Sequence, residues 1–368
     1  MSYTFFMPVK IIAGSGCVRD NAALFSSLGK KALIVTSPSS RKNGALDDVL
    51  AALASQNMTY AIFDRCENNP SLAFANELGK FAFASGCDLV VGIGGGSALD
   101  SAKAACVLAV NDMPAEELFK NAWPNPALPL IAIPTTAGTG SEVTYNAVLT
   151  IDGGTNKKSF GDTRLHAKYA LLDGRYTEAL PMTLTRNTAL DAFAHALEGY
   201  LSCKATPAGT LFAREVFRIF AKNYPALKEG KLTPAQREEL LYNATYAGIV
   251  IAQERTIALH SMSYPLTALR GVQHGLAVSL PMAAFVEFCY PGAKERIDEL
   301  LSILGLSDIS DLSEYIGALI EDKNTYTSDE IEHFIAICGK GACGRNNPVQ
   351  MTEEDIRRIY HKSLHVVG

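Results

Sequence analysis

Short apolar runs alternate with helical stretches through the first half of the chain. Residues 9–13 read as an edge element, followed by a Gly-Ser-Gly turn at 14–16 and a helix. Lys31-Ala-Leu-Ile-Val-Thr36 leads through Ser37-Pro-Ser-Ser-Arg-Lys-Asn-Gly44 into helical residues 45–55. Residues 58–63, 88–93 and 129–133 repeat the apolar run, with helices to about residue 85 and through residue 110 between them. Such alternation predicts a parallel sheet covered on both faces. Residues 143–180 hold an apolar run at 148–151, an Asp-Gly-Gly turn at 152–154 and a run at 169–173, which read as hairpin-like or returning strands. A boundary is expected near Pro181.

Beyond it the period turns helical. Residues 187–200 read as a helix, as do 208–221, 234–253, 292–304, 312–321 and 353–366. Thr352-Glu-Glu-Asp355 is a capped start for the last of these. The expected fold is therefore α/β plus all-α: a parallel-sheet half over residues 1–180, then an all-helical half over 181–368.

Composition narrows the function classes. Hydrophobic content of 48% with 19% charge describes a packed globule rather than a disordered chain. The formal net charge of -5, without a basic block, argues against nucleic acid as a partner. No apolar run reaches the length of a membrane span, and the start lacks a charged region before a long apolar core. The eight cysteines are scattered without a Cys-x-x-Cys pair, which fits a reducing compartment. A cytoplasmic enzyme is the expectation.

Two sets of residues carry candidate chemistry. Asp191 and His195 are one helical turn apart, so both side chains project from one face and can bite a divalent metal together. The alternative is the polar edge of an ordinary amphipathic helix. His260, with Tyr264 four residues on, and His274, followed by Gly275, lie in the next hundred residues. Each alone reads as a satisfied core or surface histidine. One carboxylate and three imidazoles together suit Fe²⁺ or Zn²⁺ and leave room for a substrate oxygen. The second set is in the sheet half. Gly92-Ile-Gly-Gly-Gly-Ser97 follows a strand and opens a helix, where main-chain N–H groups and the helix dipole favour an anion. Its spacing is not Gly-x-Gly-x-x-Gly, and a plain tight turn is the alternative. Pro134-Thr-Thr-Ala-Gly-Thr-Gly-Ser-Glu142 makes a second polar loop at a strand's carboxyl end, where open α/β sheets bind ligands.

Taken in order, these segments resemble the iron-containing (group III) alcohol dehydrogenase family, of the dehydroquinate synthase-like superfamily. The resemblance spans almost the whole length. It rests on Gly94-Gly-Gly-Ser97 with Asp100 and Lys103, on Thr135–Glu142, on Asp191-x-x-x-His195 with Glu198, on His260 with His274-Gly275, and on Asn347-Pro348 before the last helix. It implies a Rossmann-like dinucleotide-binding domain at 1–180, a helical metal-binding and catalytic domain at 181–368, and an active site in the cleft between them. Metal ligation by Asp191, His195, His260 and His274 is implied, with Fe²⁺ expected and Zn²⁺ the other candidate. So are pyrophosphate contacts at Gly94, Gly95, Gly96 and Ser97, with Asp100 beside them, and nicotinamide-side contacts from Thr135, Thr136 and Thr139. Asn69 matches a cofactor-side position and Lys157 another, with Lys158 an equally fair match. The implied activity is hydride transfer between the nicotinamide C4 and a small primary alcohol or aldehyde whose oxygen the ion polarises. A homo-oligomer is also implied.

Two departures from the family stand out. Where many members carry a second histidine, this chain has Tyr264, a candidate proton relay whose ordinary pKa is about 10. Where members preferring NAD often carry an aspartate after the second strand, it has Ser37, with Ser39, Ser40, Arg41 and Lys42 nearby. Hydroxyls and cations can receive a 2′-phosphate, so NADP(H) is expected over NAD(H). Ser263-Tyr-Pro-Leu-Thr267 and the loop at 36–40 are similar to members that reduce phosphonoacetaldehyde, with Arg255 or Arg270 as a candidate anion holder and a helix-surface role as the alternative for both. Three rival readings remain: a dehydroquinate synthase-like lyase, a glycerol dehydrogenase, and a non-catalytic homologue with a lapsed site.

Overall fold

The computed structural model describes residues 2–151, 153, 156–339 and 344–367. Asp152 and Gly154 of the expected turn, and Cys343, lie outside the described residues. The chain divides into two compact units: Phe6–Leu180 with Thr233–Thr245, and Met1–Phe5 with Pro181–Leu232 and Tyr246–Gly368.

The first unit is built on six parallel strands: β1 (Lys10–Ala13), β2 (Lys31–Thr36), β3 (Thr59–Phe63), β4 (Leu89–Gly94), β5 (Leu130–Pro134) and β8 (Tyr169–Leu172). Their order across the sheet is β1-β8-β5-β4-β2-β3. The inner strands are buried on both faces, which is why they read as continuous apolar runs rather than alternating ones. Ala32, Ile34, Val91, Ile93, Ile131, Ile133 and Leu171 point one way, into a core with Val18, Phe25, Leu46, Val49 and Leu53. On the other face the helix Gly96–Leu108 lies so close that a Cβ at Gly92 would sit 2.7 Å from the Ala102 Cβ. Strand order reverses at the β2–β4 pair, so their carboxyl ends flank the switch point where such sheets bind ligands.

Tyr169–Leu172 is thus a sixth parallel strand between β1 and β5, not part of a hairpin. The hairpin is β6 (Ala147–Ile151) with β7 (Asn156–Phe160), an antiparallel pair outside the main sheet. β7 holds two lysines and a serine in five residues, and its polarity hid it from an apolar-run reading.

The second unit is organised around the helix Met182–Leu201, whose residues from Asn187 to Leu201 are all buried. Phe193 packs 5.2 Å from Phe217 and 4.7 Å from Phe220 on the helix Pro207–Glu229. Two helices run past the ranges expected from the sequence, 208–221 and 292–304, and each takes in a proline. Pro225 is within Pro207–Glu229, and Pro291 is within Met282–Leu304, where the helix kinks at Ala293. The last helix starts at the expected Thr352 capping box but stops at Ser363, because Tyr326 pairs with the backbone of His365 and Val367. Among the described residues no helix is long and apolar enough to cross a membrane.

Candidate functional site

In the helical unit, a helix buried all round leaves no wet face for Asp191 and His195. A buried charge there needs a partner. Asp191, His195 and His260 each offer a ligand atom, and these atoms all lie within 4.8 Å of one another. The His195 and His260 rings stack with centroids 4.3 Å apart. His274 completes the group, its Nε2 3.6 Å from Asp191 Oδ1, against 3.4 Å for His260 Nε2. Gly275 makes this approach feasible: a Cβ there would overlap the Asn187 carbonyl oxygen on the central helix.

The donor set fits a divalent cation. Asp191 Oδ1 and His260 Nε2 are buried and have no hydrogen-bond partner. Burial raises the Asp191 pKa, but His195, His274 and His260 outweigh it and hold the carboxyl well below its ordinary range. Burial lowers the His260 pKa, but Glu198 and Asp191 outweigh it and push it up to about 9. One acid and three imidazoles gather their donor atoms about a single point.

Glu198 was noted in the sequence only as part of a motif, with no role. It is fully buried, accepts the main-chain N–H groups of Ile257 (2.9 Å) and His260 (3.2 Å), and takes a hydrogen bond from His260 Nδ1. Its i, i+4, i+7 spacing with Asp191 and His195 was the signal available.

In the sheet unit, Gly94 has φ +149, a conformation that favours glycine, and Gly95 caps the helix Gly96–Leu108. The two polar loops touch. A Cβ at Gly95 would lie 2.9 Å from Thr136 Oγ1, and one at Gly96 would lie 2.6 Å from Thr139 Cγ2. Thr135 donates its N–H to the Gly94 carbonyl at 3.0 Å. Ser97 Oγ accepts the Asn69 N–H at 3.2 Å, and Asn69 Oδ1 accepts from Lys157 Nζ at 2.9 Å. Asn69, Ser97 and Lys157 therefore form one cluster. Lys158, on the opposite face of β7, instead lies over the Phe119 ring at 4.7 Å.

Asp100 faces inward. One carboxylate oxygen accepts from Ser141 Oγ at 2.7 Å and the other from the Val148 N–H at 2.9 Å. Beside it the fully buried Lys103 donates to Ser141 Oγ (2.7 Å), Thr144 Oγ1 (3.2 Å) and the Asn146 carbonyl (2.7 Å). These two residues tie the second polar loop to the glycine-loop helix from beneath. After β2, the Ser37 and Ser39 hydroxyls hydrogen-bond at 2.8 Å, while Ser40 is buried with its hydroxyl donating to the Ser37 carbonyl at 2.9 Å. Arg41 and Lys42 are exposed. Tyr264 is half-buried, one turn after His260 on the helix Ala258–Arg270. Arg270, one of the two candidate anion holders, pairs with Glu330 at 2.5 Å and donates to the Thr325 carbonyl. Arg255 is exposed and holds φ 64.

Comparison with known proteins covers both units. Residues 8–174 match the family described as iron-containing alcohol dehydrogenase, and residues 185–364 match the C-terminal part of the Fe-containing alcohol dehydrogenase family. A sulfoacetaldehyde reductase of Bilophila wadsworthia is 32% identical over 84% of this chain and 81% of its own. The crystal structure of an iron-containing alcohol dehydrogenase from Thermotoga maritima superposes with a TM-score of 0.92 at 36% identity, covering 99% of each chain. A sulfoacetaldehyde reductase from Bifidobacterium kashiwanohense, solved in complex with NAD+, gives 0.88 at 25% identity, again over 99% of each chain.

Proposed function

The chain belongs to the iron-containing alcohol dehydrogenase family, and on that premise we propose that Asp191, His195, His260 and His274 hold its divalent ion. We read the ion as Fe²⁺, with Zn²⁺ the alternative. The observation that carries this is the convergence of Asp191, His195 and His260 within 4.8 Å in a buried setting. A divalent ion supplies a Lewis acid for a substrate oxygen, and a nicotinamide supplies or takes the hydride.

The chain's own residues do the rest. Asp191 offsets the ion's charge. The loops at 94–97 and 135–139 receive the dinucleotide: the helix N-terminus behind Gly95 and the small residues before it suit a pyrophosphate. Lys157, held on Asn69, adds a cation beside Ser97. We assign Tyr264 to proton exchange on its position one turn from His260. Replacement by phenylalanine should then lower kcat more than it raises KM. NADP(H) is the preferred cofactor in this reading, with the Ser37–Ser40 hydroxyls and the exposed Arg41 and Lys42 receiving the 2′-phosphate. Ser37→Asp should shift preference toward NADH, and no shift would remove Ser37 from the account.

For substrate we propose a short aldehyde carrying an anionic head, such as phosphonoacetaldehyde or sulfoacetaldehyde. Two relatives are sulfoacetaldehyde reductases, and Arg255 is an exposed cation shortly before His260. The test is a panel of butanal, glycolaldehyde, sulfoacetaldehyde and phosphonoacetaldehyde with NADH and NADPH, on protein loaded with Fe²⁺ or Zn²⁺. The charged aldehydes should give the highest kcat/KM; a flat panel would discard the anionic head. A cytoplasmic setting belongs to the same reading, since Cys17, Cys66, Cys87, Cys106, Cys203, Cys289 and Cys338 are all free thiols. The homo-oligomer that the resemblance implies is read by sedimentation velocity.

A further inference from the structure

Glu198 sits one turn beyond His195 on the central helix and is fully buried. Its two oxygens do different work. Oε1 accepts the N–H groups of Ile257 and His260, at 2.9 and 3.2 Å. Ile257 is the N-cap of the helix Ala258–Arg270 and has no side-chain cap bond of its own. Glu198 thus satisfies from a neighbouring helix the donors that every helix start leaves open, and a carboxylate suits the positive end of the dipole. Oε2 takes the hydrogen bond of His260 Nδ1. A carboxylate only accepts, so Nδ1 carries a proton, and Nε2, 3.4 Å from Asp191 Oδ1, is the ring atom left to face an ion.

We propose that Glu198 is a positioning residue: one carboxylate both starts the helix that carries His260 and locks that imidazole with Nε2 aimed at the ion. This rests on the metal reading above. The chemistry makes a sharp distinction between Glu198 and its amide. In Glu198→Gln, Oε1 can still accept the two main-chain N–H groups, but the NH₂ group then faces Nδ1. Nδ1 must accept, and the proton moves to Nε2, the ligand atom. Turning the amide over sets its NH₂ against two N–H donors. Either way the ligand is lost or loosened while shape and volume are kept.

A second buried carboxylate in the same unit provides the control. Glu254 Oε1 accepts from the N–H and hydroxyl of Thr206, the N-cap of the helix Pro207–Glu229, at 3.0 and 2.7 Å. It supports a helix start just as Glu198 does, but its hydrogen bonds reach no imidazole.

The experiment measures Co²⁺ affinity by chelator competition, together with the Co²⁺ visible absorption and apo-protein melting, for wild type, Asp191→Ala, Glu198→Gln and Glu254→Gln. Glu198→Gln is expected to bind Co²⁺ roughly 10–100-fold more weakly, as outer partners of metal-bound histidines generally do, with an altered visible spectrum. Glu254→Gln should melt earlier and keep wild-type affinity. Equal affinity in Glu198→Gln and wild type overturns the proposal, as does an equal loss in both glutamine variants. Should Glu198→Gln fail to fold, Glu198→Asp is measured instead. It keeps the charge but shortens the reach, so weakened binding with a changed spectrum supports the role and unchanged binding overturns it. Wild type that takes up no Co²⁺, or Asp191→Ala that takes up as much as wild type, sinks the metal reading itself; normal wild-type uptake with an indifferent Glu198→Gln sinks only the positioning role.

Discussion

The two units place their chemistry in opposite ways. In the sheet unit the proposed site residues come as contiguous motifs, and much of what they offer is main chain: a helix start behind Gly95, a loop folded against it, a cation clipped on by Asn69. In the helical unit the proposed ligands are side chains from three separate segments, gathered at the fully buried stretch 187–201 of the central helix. A site made from backbone tolerates side-chain change but not added bulk. A site made from converging side chains tolerates neither loss nor misdirection of any one of them.

The largest effect should come from the helical unit. Asp191→Ala or His260→Ala is expected to lower metal content and turnover together. Losing several kcal/mol of Lewis-acid stabilisation corresponds to a fall in kcat of about a thousandfold or more. Metal analysis beside steady-state kinetics checks this. Undiminished metal in either variant would make the ligand assignment wrong.

In the sheet unit the corresponding lesion is bulk. Gly96→Val should force the two polar loops apart, since even a Cβ would lie 2.6 Å from Thr139 Cγ2. Overpacking of this kind costs about 1–3 kcal/mol. The expected result is a dinucleotide KM raised about tenfold or more with metal content unchanged. A normal KM would show that the contact between the loops is not needed for cofactor binding.

A finer cut compares the neighbouring lysines. Lys157→Ala should weaken dinucleotide binding several-fold, because its ammonium is fixed beside Ser97 by Asn69. Lys158→Ala should leave binding alone and cost at most about 1 kcal/mol of stability, the size of an exposed cation–ring contact. Calorimetric titration with NADPH and NADH on both variants decides it, and the reverse ranking would move the cofactor side to Lys158.

The last comparison leaves activity aside and concerns the stability contributed by a buried acid that, unlike Asp191, has its partners built in. Asp48 pairs with Arg19 at 2.5 Å and Arg175 at 2.9 Å and accepts from the Tyr176 hydroxyl at 2.8 Å. Burial raises its pKa, but Tyr176 and the two arginines outweigh it, so the folded value lies below the ordinary 3.8. Its stabilisation is therefore complete above that ordinary value and fades as pH falls through the lower folded one. Asp48→Asn should be less stable than wild type by about 1–3 kcal/mol at pH 7, and the gap should narrow below pH 4. Denaturant melts across pH measure it, and a gap that stays constant to pH 2 would contradict the pairing.

Much of this was legible in the sequence, for reasons that differ by unit. The inner strands β2, β4 and β5 were plain because burial on both faces leaves unbroken apolar runs such as Lys31–Thr36, whereas β8, beyond the hairpin, read as hairpin-like or returning. β7 was not, because Asn156–Phe160 pairs only with β6 and stays polar. Lys157 and Lys158 could not be separated by alignment, yet strand alternation sends them to opposite faces. Asp191 and His195 could be paired from helical spacing alone. His260 and His274 could not be joined to them without the fold, since nothing local says that Gly275 lets one helix press on another. Glu198 was visible as a residue but not as a function, because its partners are main-chain N–H groups some sixty residues away. Arg255 and Arg270 could not be told apart as anion holder or helix-surface residue, because a pairing such as Arg270 with Glu330 joins positions sixty residues apart.

The claim on which all this depends is that one ion is shared by an acid and three imidazoles. An anomalous-difference map from crystals of the Fe²⁺-loaded protein, recorded at the iron edge, tests it most directly. The account expects a single peak about 2.0–2.2 Å from an Asp191 oxygen and from a ring nitrogen of His195, His260 and His274, as first-row divalent ions require. A peak away from these side chains, or none between them in protein shown to carry iron, would contradict it.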